Sequence, residues 1–81
     1  MSDRAFSVGA SLGYIRKLAR LMARYRPEAA ERTLNAHLNA QYAAMLRRGL
    51  SPEVVERELR ALELAVRAKL WVIVMQGGDA A

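Results

Sequence analysis

The chain has 81 residues, a formal net charge of +5 and no cysteine. This length fits a single domain, and the absence of cysteine excludes disulfides and thiolate metal sites. The single histidine, His37, cannot form a zinc site without other strong ligands. A domain this small has a marginal core, so we expect oligomerisation or unusually close helix packing to support it.

The first part of the chain predicts two helices joined by a tight corner. We expect a loose N-terminus over residues 1–10 and a first helix from about residue 11 to 25. Pro27 disfavours helical geometry in the residue before it and suits the first position of the next helix. That second helix should run to about Arg48, where Gly49 supplies a left-handed residue that closes it. The apolar positions of the first helix share one face: Leu12, Ile15, Leu18 and Met22.

The third helix has the clearest start, because Ser51 is a good N-cap and Pro52 follows at the first helical position. We expect it to end at Gly77 and Gly78, which bounds a single domain at residues 11–76 and leaves a frayed tail over 77–81. Its core face should be the apolar series Val55, Leu59, Leu62, Val66, Leu70 and Ile73. Three pairs are spaced to form ion pairs along its exposed side: Glu53–Arg57, Glu56–Arg60 and Glu63–Arg67. The predicted fold is an all-α, compact three-helix bundle.

Positive charge is concentrated in the first two helices. Residues 12–48 hold eight basic and two acidic side chains, whereas residues 49–81 hold four basic and five acidic ones. Arginine binds phosphate through two parallel hydrogen bonds, so a row of arginines suits a nucleic-acid backbone. The simpler alternative is that this row is the solvated face of an amphipathic helix. The predicted contact residues for an anionic macromolecule are Arg16, Lys17, Arg20, Arg24 and Arg26.

The end of the third helix is apolar on all sides, from Leu70 to Met75. A helix that is apolar all round is normally buried all round, and two other helices can cover only part of its circumference. We therefore predict an interface here, most simply that of a two-fold homodimer. The alternative is that the first two helices wrap this segment fully. The predicted interface residues are Leu70, Trp71, Val74 and Met75.

The sequence offers no catalytic constellation. His37 lies in the polar middle of the second helix, and neither a Ser–His–Asp arrangement nor a phosphate-cradling glycine loop nor an HExxH pattern accompanies it. We interpret His37 as an ordinary surface or boundary residue. The prediction is a protein that is not an enzyme, with no cofactor, no metal and no small-molecule substrate.

Three segments carry a family resemblance: IRKLARLM (residues 15–22), LRRGLSPEVVERELRAL (residues 46–62) and AVRAKLW (residues 65–71). They resemble a family of short, uncharacterised helical proteins from alphaproteobacteria and their prophages. The chain departs from that family at Leu62, where the family tends to carry an aromatic residue. The resemblance implies no activity, but it implies a setting among small accessory proteins of mobile elements, which often block or tune a larger host machine.

These observations favour a binding protein whose basic first helix engages nucleic acid or a host nucleic-acid-binding complex, in the manner of an anti-CRISPR inhibitor. The alternative is a homo-oligomeric scaffold or adaptor that acts through the apolar end of the third helix. A further alternative is that the first helix lies on a membrane surface with its apolar face inserted. No secretory signal is visible and no apolar run approaches the ~20 residues that span a bilayer, so we expect a cytoplasmic protein.

Overall fold

The computed structural model describes residues 12–76, which form three α-helices. They are α1 (Leu12–Ala23), α2 (Pro27–Arg47) and α3 (Pro52–Met75). The predicted number, order and type of elements are confirmed for this part of the chain, and the apolar segment at residues 70–75 is the end of α3. The predictions for residues 1–11 and 77–81 lie outside the described residues.

The corner between α1 and α2 comprises residues 24–26 and is longer than the one or two residues predicted. The N–H of Arg24 donates to the carbonyl of Leu21 and that of Tyr25 to the carbonyl of Met22, both at 3.1 Å. These bonds span three residues instead of four, so the α-helix ends at Ala23 and not at Tyr25. Arg26 is extended, as expected for a residue that precedes proline, and Pro27 begins α2.

The turn between α2 and α3 follows the predicted chemistry. Gly49 has a φ of +94°, and its N–H donates to the carbonyl of Leu46 at 2.9 Å. The N–H of Leu50 donates to the carbonyl of Met45 at 3.2 Å, which completes a Schellman motif. The hydroxyl of Ser51 then accepts from the N–H of Val54 at 3.3 Å and caps α3.

All three helices contribute to one hydrophobic core. α1 packs against α3 more extensively than α2 does, so α3 is the element that holds the other two. The apolar face of α1 is buried at three of its four predicted positions, which commits that face to the core and not to a membrane surface. Leu12 is the exception, because it lies at the very start of α1 and is 69% exposed. The buried cluster consists of Ile15, Leu18, Ala19, Met22, Ala30, Leu34, Leu62 and Val66.

Leu62 and Leu64 provide a matched test of this packing. Leu62 is fully buried, whereas Leu64, two positions along the same helix, is 62% exposed. We expect Leu62→Ala to lower the free energy of unfolding by about 2–5 kcal/mol, because it leaves a cavity in the core. Leu64→Ala should change it by less than about 1 kcal/mol at low protein concentration. Urea denaturation monitored by circular dichroism measures both, and equal losses would contradict the assigned core face of α3.

Candidate functional site

The five predicted cationic contact residues belong to α1 and to the corner that follows it. Arg16, Lys17 and Arg20 project from α1, and Arg24 and Arg26 lie in the corner that follows. All five are exposed. We call these five residues the basic face. The four-residue spacing of Arg16, Arg20 and Arg24 aligns them along one side of the helix, because positions four apart are neighbours on a helical surface.

The cations of the basic face are not used in ion pairs within the bundle. Among residues 12–76, no carboxylate lies within salt-bridge distance of any of them, and the ion pairs in that range all involve Arg67. An arginine that is already paired must exchange one partner for another when it binds an anion. The cations of the basic face have no ion pair with residues 12–76 to break, so binding an anion costs them no such exchange.

A groove of about 600 Å³ runs between α1 and the last turns of α3, beside the basic face. Its α1 wall carries Arg16, Arg20 and Arg24, and its α3 wall carries Lys69 above Val72 and Ile73. Lys69 was missed by sequence reasoning. It is 45 positions from Arg24, and only the packing of α3 against α1 places it across the groove. The groove therefore presents positive charge on both sides, together with apolar side chains of α3.

Arg67, unlike the cations of the basic face, forms ion pairs within the fold. Its guanidinium donates to both carboxylate oxygens of Glu31 in α2, at 2.7 and 2.8 Å, and to Glu63 one turn earlier in α3 at 3.0 Å. The Glu63–Arg67 pair was predicted, whereas the Glu31 contact was not, because it joins residues 36 positions apart. The hydrogen bonds from Arg67 hold the pKa of the Glu31 carboxyl below its usual value, and they raise the pKa of Arg67.

The other two predicted pairs, Glu53–Arg57 and Glu56–Arg60, do not form ion pairs in the structure. All four side chains are exposed, although Glu56 and Arg60 border a surface cavity that α3 shares with α2. Holding two long exposed side chains in one geometry costs rotamer entropy that a solvent-screened attraction barely offsets. Glu63–Arg67 differs because Glu31 fixes the guanidinium from the opposite side.

His37 connects α2 to α1. Its Nδ1 forms a 3.1 Å hydrogen bond with the Tyr14 hydroxyl, and the two rings lie 6.1 Å apart at a tilt of 57°. His37 is half-buried, in agreement with its interpretation as a boundary residue. Within residues 12–76, no group of three or more His, Asp or Glu side chains is placed to hold a metal ion. The Tyr14–His37 hydrogen bond and the tilted rings thus join α2 to α1.

The predicted interface residues divide into two groups. Trp71, Val74 and Met75 are 64%, 55% and 63% exposed, so the first two helices do not wrap the end of α3. Leu70 is half-buried and packs against the core cluster. Leu64 is as exposed as Trp71 and was missed, although it lies two turns earlier on the same side of the helix.

Residues 5–81 match the model of a protein family. The chain belongs to DUF6074, a family of unknown function. The family thus supplies no activity against which the basic face or the groove can be compared. No curated protein and no solved structure shows a significant match. None of the helices within residues 12–76 is long and apolar enough to cross a membrane.

The Glu31–Arg67 pair predicts a small acid-dependent loss of stability. Because the folded-state pKa of Glu31 is lowered, the pair stabilises the fold above the unfolded pKa, and this contribution is lost as pH falls through the lowered value. Both side chains are about half exposed, so solvent screening limits the effect to less than about 1 kcal/mol. Glu31→Gln should be less stable than the parent at pH 7, and the two should converge in acid.

Urea denaturation at several pH values measures this difference. The matched control is the same substitution in an Arg67→Met background, where the carboxylate has lost its main partner. There, Glu31→Gln should produce no pH-dependent difference. A difference that persists unchanged without Arg67 would show that the assigned pair is not its cause.

Proposed function

We propose that this protein is a non-enzymatic binding protein that engages nucleic acid through the basic face. The observation that supports the proposal is the absence of carboxylate partners, among residues 12–76, for five exposed cations, four of which (Arg16, Lys17, Arg20 and Arg24) line one surface concavity. Arg67 is neutralised by the nearby carboxylates of Glu31 and Glu63. The cations of α1 have no such partners among residues 12–76 and are exposed to solvent.

The dimensions of the basic face suit a phosphate backbone. From Arg16 to Arg24 the helix rises about 12 Å. A DNA duplex carries one negative charge per ~1.7 Å of its axis, so about seven phosphates lie along that length. The arginines can each hold a phosphate through two hydrogen bonds, and Lys69 extends the positive surface across the groove. Contacts of this kind fix position and affinity and do not read base sequence.

The biological setting we propose is that of a phage or mobile-element accessory protein acting in the cytoplasm. The resemblance of residues 15–22, 46–62 and 65–71 to short prophage-associated proteins supports this setting. In it, the anionic surface could belong to free nucleic acid or to a host nucleic-acid complex, as for an anti-CRISPR inhibitor. The charge of the basic face favours the nucleic acid itself as the component that is contacted.

A second candidate function is a homodimeric scaffold or adaptor that acts through the apolar end of α3. The exposure of Trp71, Val74 and Met75 favours it, because exposed clusters of large apolar side chains usually mark interfaces. In this case the basic face serves solubility alone. The two functions differ in one respect that can be measured: only the first depends on the arginines of α1.

Salt-dependent binding to a short mixed-sequence duplex tests the proposal. If all five cations contact phosphates, the logarithm of the binding constant should fall against the logarithm of salt concentration with a slope of about −4.5. Replacing Arg16, Arg20 and Arg24 with Gln should make that slope shallower by about 2.7, since three contacts are lost. Fluorescence anisotropy with a labelled duplex measures both slopes.

The matched control removes the same amount of charge elsewhere. Arg32, Arg47 and Arg48 are exposed on or just after α2, and their replacement by Gln should leave the slope close to that of the parent. Equal losses in the two triple variants would show a response to net charge and not to the basic face. Absence of binding at about 50 mM salt would exclude nucleic acid and favour the scaffold.

A further inference from the structure

The side of α3 that faces away from the core carries a continuous apolar stripe. We call this series the α3 stripe: Ala61, Leu64, Ala68, Trp71 and Met75. All five are exposed, and the three large members are 62–64% exposed. The successive spacings are three, four, three and four residues, which keep the side chains on one line of the helix. No charged residue belongs to the stripe.

The stripe differs from an ordinary solvated helix face. The exposed positions of α1 include Arg16, Lys17 and Arg20, and those in the middle of α2 are mostly asparagine and alanine, whereas the stripe combines an absence of charge with three large apolar side chains over 15 residues, or about 21 Å. Neither α1 nor α2 covers it. A spacing of three and four sustained over two heptads is the pattern by which two long helices pack side by side. The stripe therefore has the form of one half of a helix pair.

We propose that a second copy of this chain packs against the α3 stripe, with the two α3 helices antiparallel and Ala68 on the two-fold axis. In this register, a residue that precedes Ala68 by a given number of positions lies opposite the residue of the second copy that follows Ala68 by the same number. Ala61 then faces Met75 of the second copy, and Leu64 packs beside its Trp71. Ala61 and Met75 thus match a small side chain with a large one at each end, and the two Ala68 residues allow close approach at the centre, so the surface is complementary to itself.

A parallel arrangement lacks this complementarity. It would place Trp71 against Trp71 and Met75 against Met75, while the alanines at positions 61 and 68 would face each other across gaps. Small residues allow close approach of helices, but only where the bulky neighbours do not hold the axes apart. The antiparallel pair avoids the Trp71–Trp71 and Met75–Met75 contacts and leaves Ala68 as the one alanine that faces its own mate, at the axis, so it fits this series better than the parallel pair does.

Charge also favours the antiparallel register. The last turn of α3 contains no basic residue to complement the negative end of its dipole. Arg60 lies eight positions before Ala68, level with Gln76 of the second copy, where α3 of that copy ends. Arg57 lies a turn beyond. Both arginines are exposed and form no ion pair with the described residues. The antiparallel dimer brings them to the end of the helix that needs positive charge.

The edges of the stripe do not oppose this pairing. On one edge, Arg67 comes near its own symmetry mate, but Glu31 and Glu63 already neutralise it. On the other edge, Ala65 and Val72 add apolar contact, and Lys69 beyond them lines the groove toward α1. Two helices touching over about 21 Å bury less than the ~800 Å² per partner of a standard interface. We therefore expect a dissociation constant in the micromolar range.

The antiparallel dimer brings the two basic faces to one side, and the significance of this placement rests on the proposed function. A two-fold axis perpendicular to two antiparallel helices keeps the same edge of each helix on the same side of the dimer. Lys69 marks the edge of α3 that faces α1 and the groove. Both basic faces then lie on one side of the dimer, where a single duplex can contact them together with a gain from multivalency.

Solution mass tests the dimer. Measurements without nucleic acid in about 0.5 M salt, where contacts of the basic face are screened, should show the mass rising toward twice 9.0 kDa as concentration approaches about 500 µM. Ala68→Glu places two carboxylates on the axis and should remain monomeric throughout, with unchanged helical circular dichroism. Ala43→Glu, at an exposed position of α2, should dimerise like the parent. A parent that stays monomeric, or an Ala68→Glu variant that dimerises, overturns the proposal.

Cross-linking tests the register, and the absence of native cysteine makes single-cysteine variants clean probes. Ala68→Cys should form a disulfide-linked dimer on oxidation, because the two positions meet. Ala61→Cys and Met75→Cys should cross-link when mixed, whereas each alone should not, since its two copies are about 21 Å apart. Efficient cross-linking of Met75→Cys alone would establish a parallel pair and contradict the proposal.

The two proposals fail independently in these experiments. The Arg16, Arg20 and Arg24 triple Gln variant should dimerise like the parent, because none of these residues belongs to the α3 stripe. Ala68→Glu should retain the salt slope of one protomer on a short duplex and lose the added affinity for a longer one. A parent that dimerises without binding DNA removes the proposed function and leaves the dimer in place.

Discussion

The packing of two helices on one side of a longer third helix determines most features of this molecule. Leu62 and Val66 of α3 are buried in the same cluster as Leu18 and Met22 of α1 and Leu34 of α2. α3 has 24 residues, about 36 Å, whereas α1 has 12 and extends over about 18 Å. α1 and α2 therefore leave the far side of α3 uncovered, and the groove forms where α1 lies beside its last turns.

The distribution of charge follows from how each helix is stabilised. α2 and α3 each carry a glutamate in the first turn, which complements the helix dipole, and Arg67 joins them through Glu31. α1 has no acidic residue in its first turn. Its stability rests on the burial of one face in the core, and Arg20 suits the negative end of its dipole. α1 can hence display cations to solvent without losing the interactions that fold it.

Much of the fold was predictable because its boundaries depend on local chemistry. Pro27, Gly49 and Ser51 act through backbone conformation and capping within a few residues, so the two connections could be read directly from the sequence. The core face of α3 was also predictable at Val55, Leu62 and Val66. The end of α1 was placed two residues too late, because its last turn tightens before Arg26.

The features that escaped prediction depend on tertiary placement. Lys69 lines the groove only because α3 passes beside α1, and Glu31 reaches Arg67 across two helices. α3 carries two apolar series, one through Leu62 and one through Leu64, and periodicity alone does not say which faces the core. Leu12 fits the apolar period of α1 but lies at its first residue, where no described helix covers it.

Val72 is the point at which the groove and the α3 stripe meet. It is 40% exposed, lines the groove beside Lys69, and lies one position beyond Trp71 at the edge of the stripe. In the proposed dimer its outer side is covered by the second copy, while its inner side stays against the groove. Dimerisation would therefore fix the groove wall that carries Lys69 and limit the positions that the amine can take opposite Arg20 and Arg24.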